Sequence, residues 1–340
     1  MATLDIFRQD AFSALSMTRA VDKLGYVPGL LGSIPGLFDP VPVYTTDIMI
    51  EEREHEAALI QTSERGAEPA VMGQERRNVR AFRTTRLFKH SRLMAHELQN
   101  IRAFGTESEL AQVQAEVARR QFRMRRDVEL THEHMRLGAV QGQVIDADGS
   151  VIYDWASEFG QAIPAEIDFD LDNADPESGA VRKKCNQVTR SILRALKGLG
   201  GNQVSIMALA GDNFWDDLTA HPEVRETYLN TQAASDLREG NAFESFRYGG
   251  ITWTNYRGTD DGSTVAVGED KARFFPVGSG IFQVAWAPAE RFDLANMPGQ
   301  ELYSWVVPDD RRNAFVDVEL YSYPLHVCTM PSALHRARRT

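Results

Sequence analysis

Cysteine is scarce. Cys185 and Cys328 are the only two in 340 residues. They lack metal-type spacing, and a pair of cysteines is no disulfide framework, so both are expected as buried or incidental thiols. Long apolar runs are missing as well. No stretch approaches the ~20 residues that cross a bilayer, so no membrane partner is expected. The opening Met1-Ala2-Thr3-Leu4-Asp5-Ile6-Phe7-Arg8 carries no signal-peptide core. These absences favour folding in a reducing cytosol. A basic excess is absent too: the formal net charge is −11, the opposite of the footprint left by binding to nucleic-acid phosphates.

Catalytic and metal constellations do not assemble from the sequence. His132-Glu133-His134 places its imidazoles two apart on a helix, where they diverge, whereas a zincin needs them four apart; a solvated helical face is expected. His90 and His96 have no local support for a shared role. Asp168, Asp170 and Asp172 could gather a hard cation, but no Gly-containing loop with a closing Glu accompanies them; an acidic strand edge is expected. In Asp146-Ala147-Asp148-Gly149 the sixth and twelfth positions are Val151 and Ser157, which fails the EF-hand pattern. Gly198-Leu199-Gly200-Gly201 joins a helix to a strand, the reverse of a phosphate loop. No Gly-x-Ser-x-Gly elbow occurs. No enzymatic activity and no cofactor are expected.

What is present is an ordinary globular composition, 43% hydrophobic and 25% charged, long enough for one large domain or two to three modest ones. Residues 1–46 form an arm. A short helix is expected within Phe7 to Lys23, and then Pro28, Gly29, Gly32, Pro35, Gly36, Pro40 and Pro42 interrupt regular structure. Leu30, Leu31, Ile34, Leu37 and Phe38 must therefore pack on something else, either the rest of the chain or a neighbouring copy.

Residues 47–90 suggest a long hairpin with its tip near Ser63 to Pro69. Its outgoing limb is acidic (Asp47, Glu51, Glu52, Glu54, Glu56). Its returning limb is basic (Arg76, Arg77, Arg80, Arg83, Arg86, Lys89). Each directly opposed pair contributes roughly 0.2–1 kcal/mol. Alternation puts Val79, Ala81 and Leu87 on one face and Arg80, Phe82 and Arg86 on the other. An isolated two-stranded hairpin is marginal in water, so this one needs a surface to lie on.

Residues 106–137 predict one long helix, ~48 Å at ~1.5 Å per residue. Thr106 and Glu109 form a capping box. Leu110, Val113, Val117, Met124, Val128 and Met135 make a single apolar stripe, interrupted by Gln121 and Thr131, and Gly138 fits the C′ position. Arg119, Arg120, Arg123, Arg125 and Arg126 cluster mid-helix among Glu116, Asp127, Glu129 and Glu133. Either intrahelical pairs such as Glu116–Arg120 or inter-subunit pairs can use them.

Beyond the helix come a hairpin over Val144 to Trp155 turning at Asp148-Gly149, an acidic strand Ile167 to Leu171, and a helix starting at Asp175-Pro176. That helix runs to about Lys197 with Val181, Cys185, Val188, Ile192 and Leu196 along one side. A strand at Val204 to Leu209 and two short helices broken at Pro222 follow. Further strands are expected at Ser245–Arg247, Ile251–Tyr256, Ala272–Pro276, Gln283–Ala287 and Ala314–Val327. His335 to Arg339 is expected as a solvated basic tail. The mixture is α+β, without βαβ repeats.

Several short motifs stand in a fixed order along the chain. They are Leu37-Phe38 ahead of Tyr44-Thr45-Thr46, the run His90 to Gly105, and Tyr248-Gly249-Gly250-Ile251. Phe275-Pro276-Val277-Gly278, Ala287-Pro288-Ala289, Asn296-Met297-Pro298-Gly299 and Tyr323-Pro324-Leu325 follow. Together they resemble a tailed-phage major capsid protein of the lambda type, the phage major capsid protein E family, along essentially the whole chain. The resemblance implies the Hong Kong 97 shell fold: an N-terminal arm at 1–46, an extended β-hairpin loop at 47–92, and a peripheral domain at 93–175 and 313–340. The spine helix at 106–137 would lie in that peripheral domain, and an axial domain would span 176–312.

The implied function is an icosahedral shell of hexamers and pentamers enclosing packaged double-stranded DNA, without sequence-specific binding. The alternative is an encapsulin-like compartment. Inter-subunit contacts would fall on Leu37, Phe38, Glu51, Glu52, Glu54, Arg76, Arg77, Arg80, Arg83, Arg86, Arg119, Arg123 and Arg126. Assembly would take place in the host cytoplasm and the product would be the virion. Because the spine helix begins near residue 106, a separate scaffolding protein is expected. A portal is expected too, with a decoration protein left open. Lys89, the single lysine between residues 47 and 105, gives no ground for carrying over the isopeptide cross-linking of a related shell.

Overall fold

A computed structural model of the chain describes residues 29–54, 76–99, 109–173, 176–201, 204–229, 245–256, 258–259, 265–312 and 314–340. The helix expected within Phe7 to Lys23, the hairpin tip, Thr106 and Asp175 lie outside them. The side chains of Glu109, Leu110 and Val113 do too, so the capping box and the start of the stripe are not described.

The arm enters as one helical turn, Leu30–Ser33, and a short strand β1 (Asp39–Pro42). The finger base pairs β2 (Asp47–Glu54) with β3 (Arg76–Arg83) in antiparallel register, from Asp47 opposite Arg83 to Glu54 opposite Arg76. The register thus sets an acidic residue opposite a basic one at those two positions and Arg53 opposite Arg77. Instead of prolonging the hairpin, β4 (Leu87–Met94) leaves it and joins another sheet. After the helical turns of Ala95–Gln99 comes the spine helix, Glu109–Val140.

The spine helix runs past Gly138, so this glycine is not its C′ residue. It is required by close approach: a Cβ there would lie 2.7 Å from the Gln143 carbonyl oxygen. The stop falls at Gly142, whose φ of +87° suits glycine. Strands β5 (Gln143–Ile145) and β6 (Val151–Asp154) form the hairpin expected around Gly149. The short helix Trp155–Phe159 follows, its N-cap Asp154 accepting from the Ala156 and Ser157 amides.

A six-stranded sheet organises the other half. It takes β7 (Ile167–Asp168), β8 (Ser205–Ala210), β9 (Ser245–Tyr248), β10 (Ile251–Asn255) and β11 (Lys271–Val277). Strands β12 (Phe282–Trp286), β13 (Tyr303–Pro308), β14 (Phe315–Ser322), β15 (Pro324–Cys328) and β16 (His335–Arg338) complete the chain. The large sheet has the order β7-β16-β11-β8-β10-β9. Two smaller sheets have the orders β1-β12-β15 and β13-β14-β4.

The basic end of the chain is therefore not a solvated tail. Residues His335 to Arg338 form an interior strand of the large sheet, with His335 and Ala337 buried and Arg336 and Arg338 exposed. Alternation hides a strand whose charged residues all fall on one face.

Helix Ala180–Ala195 lays Val181, Cys185, Val188 and Ile192 into the core, as its periodicity predicts. Trp253 lies 5.2 Å from Phe274 and 5.9 Å from Phe214, centroid to centroid, and anchors the sheet's inner face. The β9–β10 turn is Gly249-Gly250, both at positive φ (61° and 81°), as a two-residue hairpin turn requires. A Cβ on Gly249 would also stand 2.5 Å from Cys185 Cβ. Gly249→Val therefore combines backbone strain with overpacking, and a loss of about 2–5 kcal/mol in urea-unfolding stability is expected.

Both cysteines are buried and free, and burial pushes each thiol up to about 12. Neither is expected to react with a thiol reagent until the chain is denatured, whereupon two equivalents are titrated.

Candidate functional site

The arm is latched to its own chain. The Leu31 amide donates to Glu133 Oε1 at 2.8 Å and the Gly32 amide to Oε2 at 3.2 Å. The Tyr256 hydroxyl donates to Oε1 at 3.2 Å, and Arg136 Nη1 stands 3.7 Å from Oε2. Glu133 and Arg136 are buried, at 5% and 7% exposure. This corrects the expectation of a solvated face at His132-Glu133-His134: His132 is wholly buried, Glu133 nearly so, and only His134 is half-exposed.

Burial and the nearby Glu133 carboxylate raise the Tyr256 hydroxyl above its ordinary range, so it remains a donor. Gly29 makes room for the latch, since a Cβ there would fall 2.3 Å from Glu133 Cδ.

Apolar contacts finish the seat. Leu31 and Leu37 are buried in the main core, and Phe38 packs against Phe282 at 5.3 Å and the His326 ring at 5.5 Å. The motif glycines tie the arm down: the Gly278 amide donates to Gly36 O at 3.1 Å and the Gly299 amide to Val43 O at 2.9 Å. Strand β1 runs parallel to β12. Leu37 and Phe38, expected to touch a neighbour, thus find their partners inside the same chain. The burial demand was legible, but a partner strand some 240 residues away was not.

The finger base has two unlike faces. Ile48 and Phe82, each 4% exposed, turn inward. The Phe82 ring meets Trp155 at 5.2 Å, Tyr153 at 5.6 Å and Phe159 at 5.7 Å. Arg80 also lies on this side, over the Phe159 ring at 5.8 Å. The Tyr153 hydroxyl accepts from the Arg83 amide and donates to its carbonyl, at 3.1 and 3.2 Å.

The opposite face is the more exposed one. Met49 is 75% exposed and Val79 58%, with Glu51 and Ala81 exposed beside them. The side chains of Glu52, Glu54, Arg76 and Arg77 lie outside the described residues. Arg86 leaves the finger altogether, pairing with Glu290 at 3.2 Å and lying over Phe88 and Tyr321.

On the spine helix, Val117, Met124 and Val128 pack with Leu93, Leu302, Val316, Val318 and Leu320. The polar interruption at Gln121 is satisfied by Ser304 Oγ at 2.8 Å. Glu116 pairs with Arg120 at 3.0 Å, as the i,i+4 spacing predicts, and with Arg119 at 3.3 Å. Arg120 also reaches Ser91 Oγ at 3.0 Å and forms an ion pair with Glu97. Arg123 and Arg126 are exposed, with no ion-pair partner among the described residues.

Near the helix's C-terminal end His132 replaces Thr131 as the inward residue. At about 100° per residue, positions 131 and 132 flank the stripe through 128 and 135 at equal angles, and packing buries His132 while Thr131 stays half-buried. Burial, and secondarily Arg136, lowers the His132 imidazole to about 3, which keeps it neutral.

A latched arm, a two-stranded finger, a long spine helix and a six-stranded sheet whose last strand comes from the chain's end define a class of protein. It is the shell subunit of the Hong Kong 97 type. The structure superposes on a prophage capsid protein of E. coli CFT073 with a TM-score of 0.55, at 14% identity over 96% of this chain and 99% of that one. It superposes on a chain from Gordonia phage Cozz with a TM-score of 0.54, at 11% identity over 94% and 89%.

The sequence matches the phage major capsid protein E family over residues 13–339, and the chain belongs to that family. The major capsid protein of Salmonella phage Felix O1 is 25% identical over 354 residues, 95% of each chain. That of Pseudomonas phage KPP10 is 23% identical over 353 residues, 97% of each chain.

Proposed function

We propose that this chain is the major capsid protein of a tailed phage or prophage, tiling as hexamers and pentamers into an icosahedral shell around packaged double-stranded DNA. The whole-chain family match carries this reading. Met49 and Val79, exposed on the outer face of the finger, support it as apolar surface that a neighbouring copy can cover. Arg123 and Arg126, and Arg119 with its 63% exposed side chain, offer cations for contacts between copies. Complementary rather than identical patches suit rotational assembly. The net charge of −11 suits a container that does not adhere to its contents.

In this reading residues 47–92 are the extended loop. The peripheral domain comprises 93–175 and 313–340, and the axial domain comprises 176–312, with β11, β12 and β13 pairing onto β16, β15 and β14 of the peripheral part. Assembly takes place in the host cytoplasm, directed by a separate scaffolding protein and completed at a portal. Electron microscopy of the chain expressed with and without its neighbouring genes tests this. Closed DNA-competent shells that form at correct size only with a scaffold partner are expected. Shells of correct size from the chain alone would refute the scaffold, and particles built around a protein cargo would favour an encapsulin-like compartment.

A further inference from the structure

Two parts of the chain bring a mixed nitrogen and oxygen donor set together beside the latch. Glu129 and His132 stand one turn apart on the spine helix, and Glu301 stands just ahead of β13. A carboxylate oxygen of Glu129, a ring nitrogen of His132 and a carboxylate oxygen of Glu301 all lie within 4.8 Å of one another. Glu129 is 4% exposed and His132 wholly buried, while the Glu301 side chain is 47% exposed.

The His132 tautomer follows from its neighbours. The Ser322 hydroxyl donates to the Glu301 carbonyl oxygen at 2.6 Å, so toward His132 Nε2, 3.1 Å away, it acts as acceptor. Nε2 therefore carries the proton. Nδ1 is left with its lone pair, buried and with no hydrogen-bond partner among the described residues, an unusual state for a buried polar atom.

We propose that Glu129, His132 Nδ1 and Glu301 form a site for a divalent transition metal, with Zn2+ the best-matched ion. One imidazole and two carboxylates suit a borderline ion, whereas Ca2+ and Mg2+ favour all-oxygen sites. Ser322 accepting from Nε2–H is the outer hydrogen bond that orients a ligating imidazole. Tetrahedral bonds of ~2.0–2.2 Å put donors about 3.3–3.6 Å apart, so the three donors, now within 4.8 Å of one another, would draw together by side-chain rotation on binding. A water can take the fourth position on the exposed Glu301 side.

Two cations share the neighbourhood. Arg125 Nε is 3.6 Å from Glu129, and Arg136 is 3.9 Å from Glu301. These separations exceed hydrogen-bond length. The metal would compete with both cations, which sets its affinity at a moderate level. Once bound, it would pin the spine helix to the strands that follow Glu301.

The site is complete within one chain, so its test is independent of shell assembly. The full-length chain, stripped with chelator, is titrated with Zn2+ against a chromogenic competitor, with Mg2+ and Ca2+ in parallel, and its thermal unfolding is followed. One Zn2+ per chain, little response to Mg2+ or Ca2+, and a raised Tm are expected. Glu301→Gln should weaken Zn2+ binding by more than ~10-fold in the competitor titration, whatever change the loss of its pairing with Arg136 makes to the metal-free Tm. Ser322→Ala, through ring orientation, should weaken it by ~10–100-fold. Absence of saturable binding, or the same affinity in Glu301→Gln as in the unaltered chain, would overturn the proposal.

Discussion

Replacing Glu133 with alanine is expected to lower the unfolding free energy by ~3–5 kcal/mol, the range for breaking a buried ion pair from one side. The substitution strips the Leu31 and Gly32 amides and the Tyr256 hydroxyl of their common acceptor. It also leaves Arg136, only 7% exposed, without its buried counter-charge. Urea unfolding measures the loss. Chymotryptic cleavage after Leu37 or Phe38, protected in the unaltered chain, reports release of the arm.

The double variant Glu133→Ala with Arg136→Met should recover part of the stability, because the uncompensated cation goes with its partner. It should not recover protection of the arm, because the amides still lack an acceptor. A loss below ~1 kcal/mol in the single variant would mean that the latch contributes little.

The second large effect is on assembly rather than folding. Met49→Glu combined with Val79→Glu places two carboxylates on the outer face of the finger, where the native side chains are 75% and 58% exposed. Unfolding stability should change by no more than ~0.5 kcal/mol, as for exposed substitutions generally. Shell yield should fall at least ~10-fold, because covering that face with a neighbouring copy would bury unpaired charge at every repeat of the contact. Sedimentation of expressed particles against free subunits gives the answer. Undiminished shells would show that the face stays in solvent after assembly.

The comparison of sequence with structure separates local from distant information. The helix Ala180–Ala195 and the Gly249-Gly250 turn are legible because each is encoded within a few residues. So are the Glu116–Arg120 pair and the break at Pro222. The latch is not, because its acceptor sits about a hundred positions from the amides it holds, on a helix whose surface looks charged throughout.

His132 was the one local clue. A 3.6-residue period places it and Thr131 at equal angles on either side of the apolar stripe, so helical spacing admits either as the inward residue. Likewise, Arg336 and Arg338 disguise β16 as a tail, while Ala337 and His335 between them carry the alternation of a buried strand. The finger illustrates the converse. Its charge pattern announces a paired hairpin, but only the packing of Phe82 on Trp155 decides which face is left for a partner.

Hydroxyl-radical footprinting of free subunits and assembled particles tests the central claim most directly. Met49 and Val79 should be labelled strongly in free subunits and protected in shells. Leu31 and Leu37 should stay unreactive in both. Failure to form particles at all, or equal labelling of Met49 in the two states, would contradict that claim.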